Sequence, residues 1–126
     1  MDPYRIIGGP GSPYSLKLRA VMRYRQIPHV WALRVHCAEE VAHVRPRLLP
    51  TLFDPYDQDY FVDSTPLVAR LEQRHQARSV MPSNEADAFI ALLIEDMADE
   101  WFAKFMFSGR WHEPEDADFY GRYLGW

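Results

Sequence analysis

The chain has one cysteine, no long apolar run and no surplus of positive charge, and each shortage removes a class of protein. A lone Cys37 excludes an intrachain disulfide framework and a C-x-x-C redox pair, so a reducing cytoplasm is the natural setting. No apolar stretch approaches the length needed to span a membrane, and Met1-Asp2-Pro3-Tyr4-Arg5 has nothing like a signal peptide's apolar core. With 14 Lys and Arg against 18 Asp and Glu, the formal charge is −4, and no basic stripe suits a nucleic acid. The five histidines (His29, His36, His43, His75, His112) are scattered without ligand spacing, so no metal site is expected. Gly9 and Gly11 begin a G-x-G, but Tyr14 replaces the third glycine of a dinucleotide fingerprint, and no G-K-[ST] follows for a P-loop. Internal repeats and low-complexity tracts are also missing.

What remains is a sequence of 126 residues, 48% hydrophobic and 14% aromatic, enough for one good core. Its most informative segment is Ser12-Pro13-Tyr14-Ser15. Serine is a strong N-cap, and proline fits a first helical turn, where its missing N–H would have had no partner. Upstream, Tyr4-Arg5-Ile6-Ile7 reads as a buried strand and Gly8-Gly9-Pro10-Gly11 as a turn. Downstream, Tyr14, Leu18, Val21, Met22 and Arg25 recur with helical spacing and form a stripe. The Ser12 hydroxyl is thereby placed at the positive end of a helix dipole, where a thiolate or other anion is stabilised.

A second strand is expected over 30–35, then a short helix or irregular turn over 38–44, closed by Arg45-Pro46-Arg47. Leu49-Pro50-Thr51-Leu52-Phe53 is extended; a polar turn over 54–59 and Tyr60-Phe61-Val62 complete a hairpin. Asp63-Ser64-Thr65-Pro66 then opens a capped amphipathic helix carrying Leu67, Val68, Leu71, Glu72 and His75. This βαβαββα order suits a small mixed α/β sheet with helices on its faces. Asn84 can cap a longer helix running to about Phe107, with Phe89, Ile90, Leu93, Met97, Trp101 and Phe105 on one broad face. Gly109 is expected to end it, and Pro114-Glu115-Asp116 to open another. Glu95 with Asp99 and Asp96 with Glu100 set like charges at i,i+4. They read as a helix flank paired with arginines such as Arg110, or as part of a cleft or subunit interface, and no single role is assigned.

The ordered set S-P-Y-S, L-P-T-L and D-S-T-P resembles the N-terminal, thioredoxin-like domain of the cytosolic glutathione transferases over 4–75, and 87–111 looks like the first long helix of that family's helical domain. The resemblance implies a glutathione-binding domain over 1–78, a linker over 79–84 and the beginning of an all-α domain over 85–126. The family's second domain needs about another hundred residues, so a truncated chain or fragment is expected; the aromatic ending 120–126 reads as mid-domain sequence. Glutathione would be the co-substrate, with a small electrophile as second substrate and a homodimer as the complete form. Ser12 matches the catalytic serine, which would polarise the thiol. Ser15 matches the second cysteine of a C-x-x-C. Pro50 matches the family's cis-proline, beside which the backbone of Leu49 would pair with the cysteinyl residue. Asp63 and Ser64 match the acidic-Ser pair that holds the γ-glutamyl end. Ser64 or Thr65 acting as a plain helix cap explains the same residues without a ligand. A non-catalytic binding or assembly module on this fold is the rival to an enzyme.

Overall fold

In the computed structural model, which describes residues 2–124, strand Tyr4–Gly8 (β1) leads into helix Pro13–Tyr24 (α1), and His29–Leu33 (β2) returns parallel to β1. Thr51–Asp54 (β3) and Asp59–Val62 (β4) form an antiparallel hairpin, and β3 runs antiparallel to β1, giving the sheet order β2-β1-β3-β4. Helix Ser64–Arg74 (α2) follows. This is the expected α/β, thioredoxin-like arrangement, followed by C-terminal helices.

The slot between β2 and β3 holds a 3-10 turn, Arg34–His36, and a run of turns. Of the two alternatives over 38–44, the irregular turn is realised; Cys37, Val41 and Val44 nevertheless pack inward against Ile7. The strand expected over 30–35 ends at Leu33, where its β1 partner Gly8 is the last residue of that strand.

Alternation along β1 divides the core between the two sheet faces. Tyr4 and Ile6 face α1 and α2, packing with Leu18, Met22, Ile27, Leu52, Leu67 and Leu71. Ile7 joins the 37–44 segment on the opposite face. On that side Tyr60 donates to Glu40 Oε1 at 2.6 Å, and burial followed by this carboxylate pushes its hydroxyl up to about 12. Two ionic ties fasten α2. Asp54, fully buried at the end of β3, accepts from Arg70 Nε (2.8 Å) and Arg74 Nη1 (2.7 Å). Arg25, counted in the helical stripe by its spacing, is also buried. Its Nη1 lies 2.7 Å from Glu72 Oε1 without hydrogen-bond alignment, and Nη2 donates to the carbonyl of His75. Such charges are tolerated inside only when paired.

The chain divides into two compact units after Val80, within the stretch 79–84. In the second, Asn84 caps Glu85–Met97 (α3), its side chain accepting from the N–H groups of Ala86 and Asp87. A π-helical segment, Ala98–Phe102, continues into Ala103–Trp111 (α4), and Pro114–Leu124 (α5) follows. Gly109 does not end the helix as expected; the turn continues to Trp111, with the N–H of His112 bonded to Ser108 O. Glycine costs a helix only about 1 kcal/mol, whereas Pro114 biases the residue before it away from helical geometry. Of the acidic group, Glu95 and Asp99 are half-buried and Asp96 and Glu100 exposed. The expected ending 120–126 is described only to Leu124; Gly125 and Trp126 lie outside the described residues.

Candidate functional site

Ser12 is the N-cap of α1: its backbone is extended, and its Oγ accepts from the N–H of Ser15 at 3.2 Å. That bond uses an acceptor lone pair and leaves the hydroxyl proton directed elsewhere. Half-buried Ser12 therefore combines a polarised hydroxyl with the positive end of a twelve-residue helix. Gly8 fixes where this helix starts. A methyl group on Gly8 would lie 2.8 Å from Ser15 Cβ and 2.9 Å from the Trp31 ring, so only glycine lets α1 approach the end of β1 this closely.

Pro50 is buried, and the Leu49–Pro50 peptide is cis, as expected; Arg45–Pro46 is also cis. Leu49 stands just before β3. A methyl on Gly9 would lie 3.8 Å from Leu49 Cδ1, and Gly9 O accepts from the N–H of Ser12 at 3.0 Å. The Leu49 segment and the start of α1 thus meet at the Gly9 turn.

At the start of α2 the structure corrects the simplest reading of the sequence. Asp63 occupies the cap position, but at φ 76° its side chain makes no capping bond. Left-handed backbone is tolerated by Asp better than by most residues. Ser64 is the first helical residue rather than a cap; it is 1% exposed, and its Oγ has no hydrogen-bond partner. Native proteins rarely bury a hydroxyl unsatisfied. Here the unsatisfied hydroxyl lies in the first turn of α2, at the positive end of the helix dipole, the setting that favours an anion. The exposed Asp63 carboxylate stands beside it. Lys17 Nζ donates to Thr65 Oγ1 at 3.1 Å, bringing the first turns of α1 and α2 together.

Ser12, Leu49, Pro50, Asp63 and Ser64 therefore all lie in the first compact unit, at the starts of α1, β3 and α2, whereas the acidic group Glu95, Asp96, Asp99 and Glu100 lies in the second. Contacts link Ser12 to the Leu49 turn through Gly9, and α1 to α2 through Lys17 and Thr65. Lys17 was missed by sequence reasoning. The available signal was its position, three residues after Tyr14 and four before Val21, at the border of the apolar stripe. At the far end of α2, Tyr4 Oη and His75 Nε2 are 3.1 Å apart. Burial raises the tyrosine, so it stays a phenol; burial, then Arg25 and Arg74, lowers His75. Among the described residues no group of three or more His, Cys, Asp or Glu is close enough to hold a metal ion, and no helix is long and apolar enough to cross a membrane.

Residues 6–79 match the family model of the glutathione S-transferase N-terminal domain. Among solved structures, a glutathione S-transferase from Methylobacterium radiotolerans in complex with glutathione sulfonate is similar at 25% identity and TM-score 0.69, covering 78% of this chain and 47% of its own. One from Methylobacillus flagellatus with bound glutathione is similar at 26% identity and TM-score 0.65, over 76% and 48%. A Tau class enzyme from mango, Mangifera indica, shares the fold at 17% identity and TM-score 0.68, over 90% and 54%. The chain spans about half the length of these structures. A search of curated proteins gave no match.

Proposed function

This chain belongs to the glutathione S-transferase family, and on that premise we propose that its first unit binds glutathione and that Ser12 activates the thiol for attack on a small electrophile. The single observation that carries the reading is the buried, unpartnered Ser64 hydroxyl at the start of α2. A γ-glutamyl α-carboxylate supplies the missing acceptor, and the positive end of the α2 dipole favours its charge. Asp63 is the counter-ion for the neighbouring α-ammonium. The Leu49 backbone, ahead of Pro50, pairs with the cysteinyl residue in strand fashion. The two solved structures at 25% and 26% identity named above carry glutathione sulfonate and glutathione, which supports this ligand.

The chemistry follows from the thiol. Near pKa 8.5 a free thiol supplies only a few per cent of thiolate at neutral pH. Ser12 donates its hydroxyl proton to the sulfur while the α1 dipole favours the negative charge, and both lower the thiol pKa. The sulfur's proton leaves to solvent. The thiolate then forms a bond to the electrophilic carbon as a π bond or a bond to a leaving group breaks there and takes up the electron pair. Serine at both 12 and 15 leaves no protein sulfur here for a mixed disulfide.

Retention on immobilised glutathione together with conjugating turnover tests the two halves of the reading. Ser12→Ala is expected to cut turnover on the order of 10²-fold or more, the scale for one lost oxyanion-type donor, while leaving retention on the resin. Conjugation unchanged in that variant removes Ser12 from the mechanism. Retention without any turnover in the unmodified chain favours a binding or assembly module, as does a cytoplasmic homodimer that holds glutathione without consuming it.

A further inference from the structure

We propose that Ser15 is a positioning residue for Ser12: it closes a ring of three hydrogen bonds that holds the Ser12 hydroxyl in its donating orientation. The inference rests on the Ser12 reading above. It gives a task to a side chain that the family likeness only matches to the second cysteine of a C-x-x-C.

The ring passes through three residues. Ser12 donates its N–H to Gly9 O at 3.0 Å. Ser15 donates its N–H to Ser12 Oγ at 3.2 Å. Gly9 donates its N–H to Ser15 Oγ at 3.4 Å, which closes the circuit. Ser12 and Ser15 stand at the N-cap and the third helical position of α1. A capping box joins these two positions directly, through a side chain that reaches back to the cap's own N–H. Here the return runs through Gly9 instead, so the turn ahead of the helix is pinned as well. Capping of α1 alone needs only the bond from the Ser15 N–H to Ser12, and the Gly9 bond adds nothing to it.

The approach that makes the ring is tight. Ser15 is fully buried, and both its Cβ and its Oγ lie 2.8 Å from where a methyl on Gly8 would stand. Because Ser15 Oγ is engaged by Gly9, it acts through Ser12 rather than on the ligand. The Ser12 hydroxyl has one proton and two lone pairs. The Ser15 N–H occupies one lone pair, and hydrogen bonds in series polarise one another, so the Ser12 proton becomes a better donor. With the Ser12 backbone fixed at Gly9, that donor is aimed before the thiol arrives, and no reorganisation is needed when charge develops on the sulfur.

Bound glutathione reports this through its own thiol, whose ionisation is read by ultraviolet thiolate absorbance in a pH titration. Ser15→Ala is expected to lower the thiolate-to-thiol ratio of the bound peptide roughly two- to tenfold at neutral pH, the scale of one ordinary hydrogen bond. S-methylglutathione, which has no thiol proton, is expected to bind both proteins equally by calorimetry. In the Ser12→Ala background, Ser15→Ala should leave the ratio unaltered, because no hydroxyl remains to be positioned. An undiminished ratio in Ser15→Ala, or an equal loss in the Ser12→Ala background, overturns the positioning role. Weakened binding of S-methylglutathione by Ser15→Ala overturns it too, because the residue then supports the site as a whole. These outcomes leave the Ser12 reading standing. An unmodified chain that does not bind glutathione, or binds it without raising its thiolate-to-thiol ratio above that of the free peptide, overturns the Ser12 reading and Ser15 with it.

Discussion

At the scale of single residues, the buried polar side chains described in the first unit have partners except that of Ser64, although Arg25 Nε and Nη1 make no hydrogen bond themselves. Asp54 has two arginines, Arg25 has Glu72 and a carbonyl, but Ser64 Oγ has nothing. His75 gives a titratable probe of the same unit. Its pKa lies below 6.5 because burial, Arg25 and Arg74 disfavour its charged form, with Asp54 opposing them. Below that pH the unfolded chain binds more protons at this position than the folded one, so folding stability must fall as pH falls. The contribution is fully present above 6.5. Thermal melts from about pH 7 down to about pH 5 are expected to show a shallower decline for His75→Gln than for the unmodified chain. Parallel declines would mean that His75 is protonated as readily in the fold as outside it. Ser12 was legible at this scale because Ser-Pro ahead of an apolar stripe admits one local geometry. The fate of Asp63 and Ser64 was not, since D-S-T-P reads as a cap and only a left-handed Asp63 moves the helix start onto Ser64. Lys17 was invisible because its partner lies 48 positions away on another helix.

Elements follow the same division between local and tertiary causes. The hairpin, both flanking helices and the Asn84 cap were readable from period and punctuation, because each is decided within a few residues. Over 38–44 a short helix and an irregular turn were both left open, and the turn is realised, with Val41 and Val44 packed with Ile7. The π-helical turn over Ala98–Phe102 has no signature in the sequence, and the face Phe89 to Phe105 was drawn as if the helix were regular. At the β1–α1 junction the close approach at Gly8 is the critical contact. Gly8→Ala puts a methyl 2.8 Å from Ser15 Cβ, an atom anchored to the backbone of α1. The expected loss is about 1–3 kcal/mol of stability, the usual scale of overpacking. Denaturant unfolding checks it; a variant as stable as the parent would mean that α1 can slide outward freely, and with it Ser12.

For the whole molecule, the two units differ in how well they are built. The first has a two-faced core with twelve buried apolar residues, Tyr4 through Leu71. In the second, none of the helices has a buried residue, and Phe89, Ile90, Leu93, Met97, Trp101 and Phe105 are 41% to 66% exposed. That much contiguous apolar surface is unusual for a soluble monomer. The 126-residue chain is therefore expected to self-associate and to enhance the fluorescence of an apolar-surface dye. Light scattering of a clean monomer, without dye enhancement, would contradict this reading of the second unit and leave the first untouched.

The central claim is that the start of α2 is a ligand site whose buried Ser64 hydroxyl is left without a partner at some expense of stability. Calorimetric titration of glutathione into the unmodified chain and Ser64→Ala tests it most directly. A saturable isotherm is expected, weakened roughly 5- to 150-fold in the variant by the loss of a charge-assisted bond. In the absence of ligand the same variant should be as stable as the parent or more so, because it removes a buried hydroxyl that has no partner. Equal affinity in the two proteins, or a free variant that is clearly less stable, would show that Ser64 is a structural residue and that the γ-glutamyl end binds elsewhere.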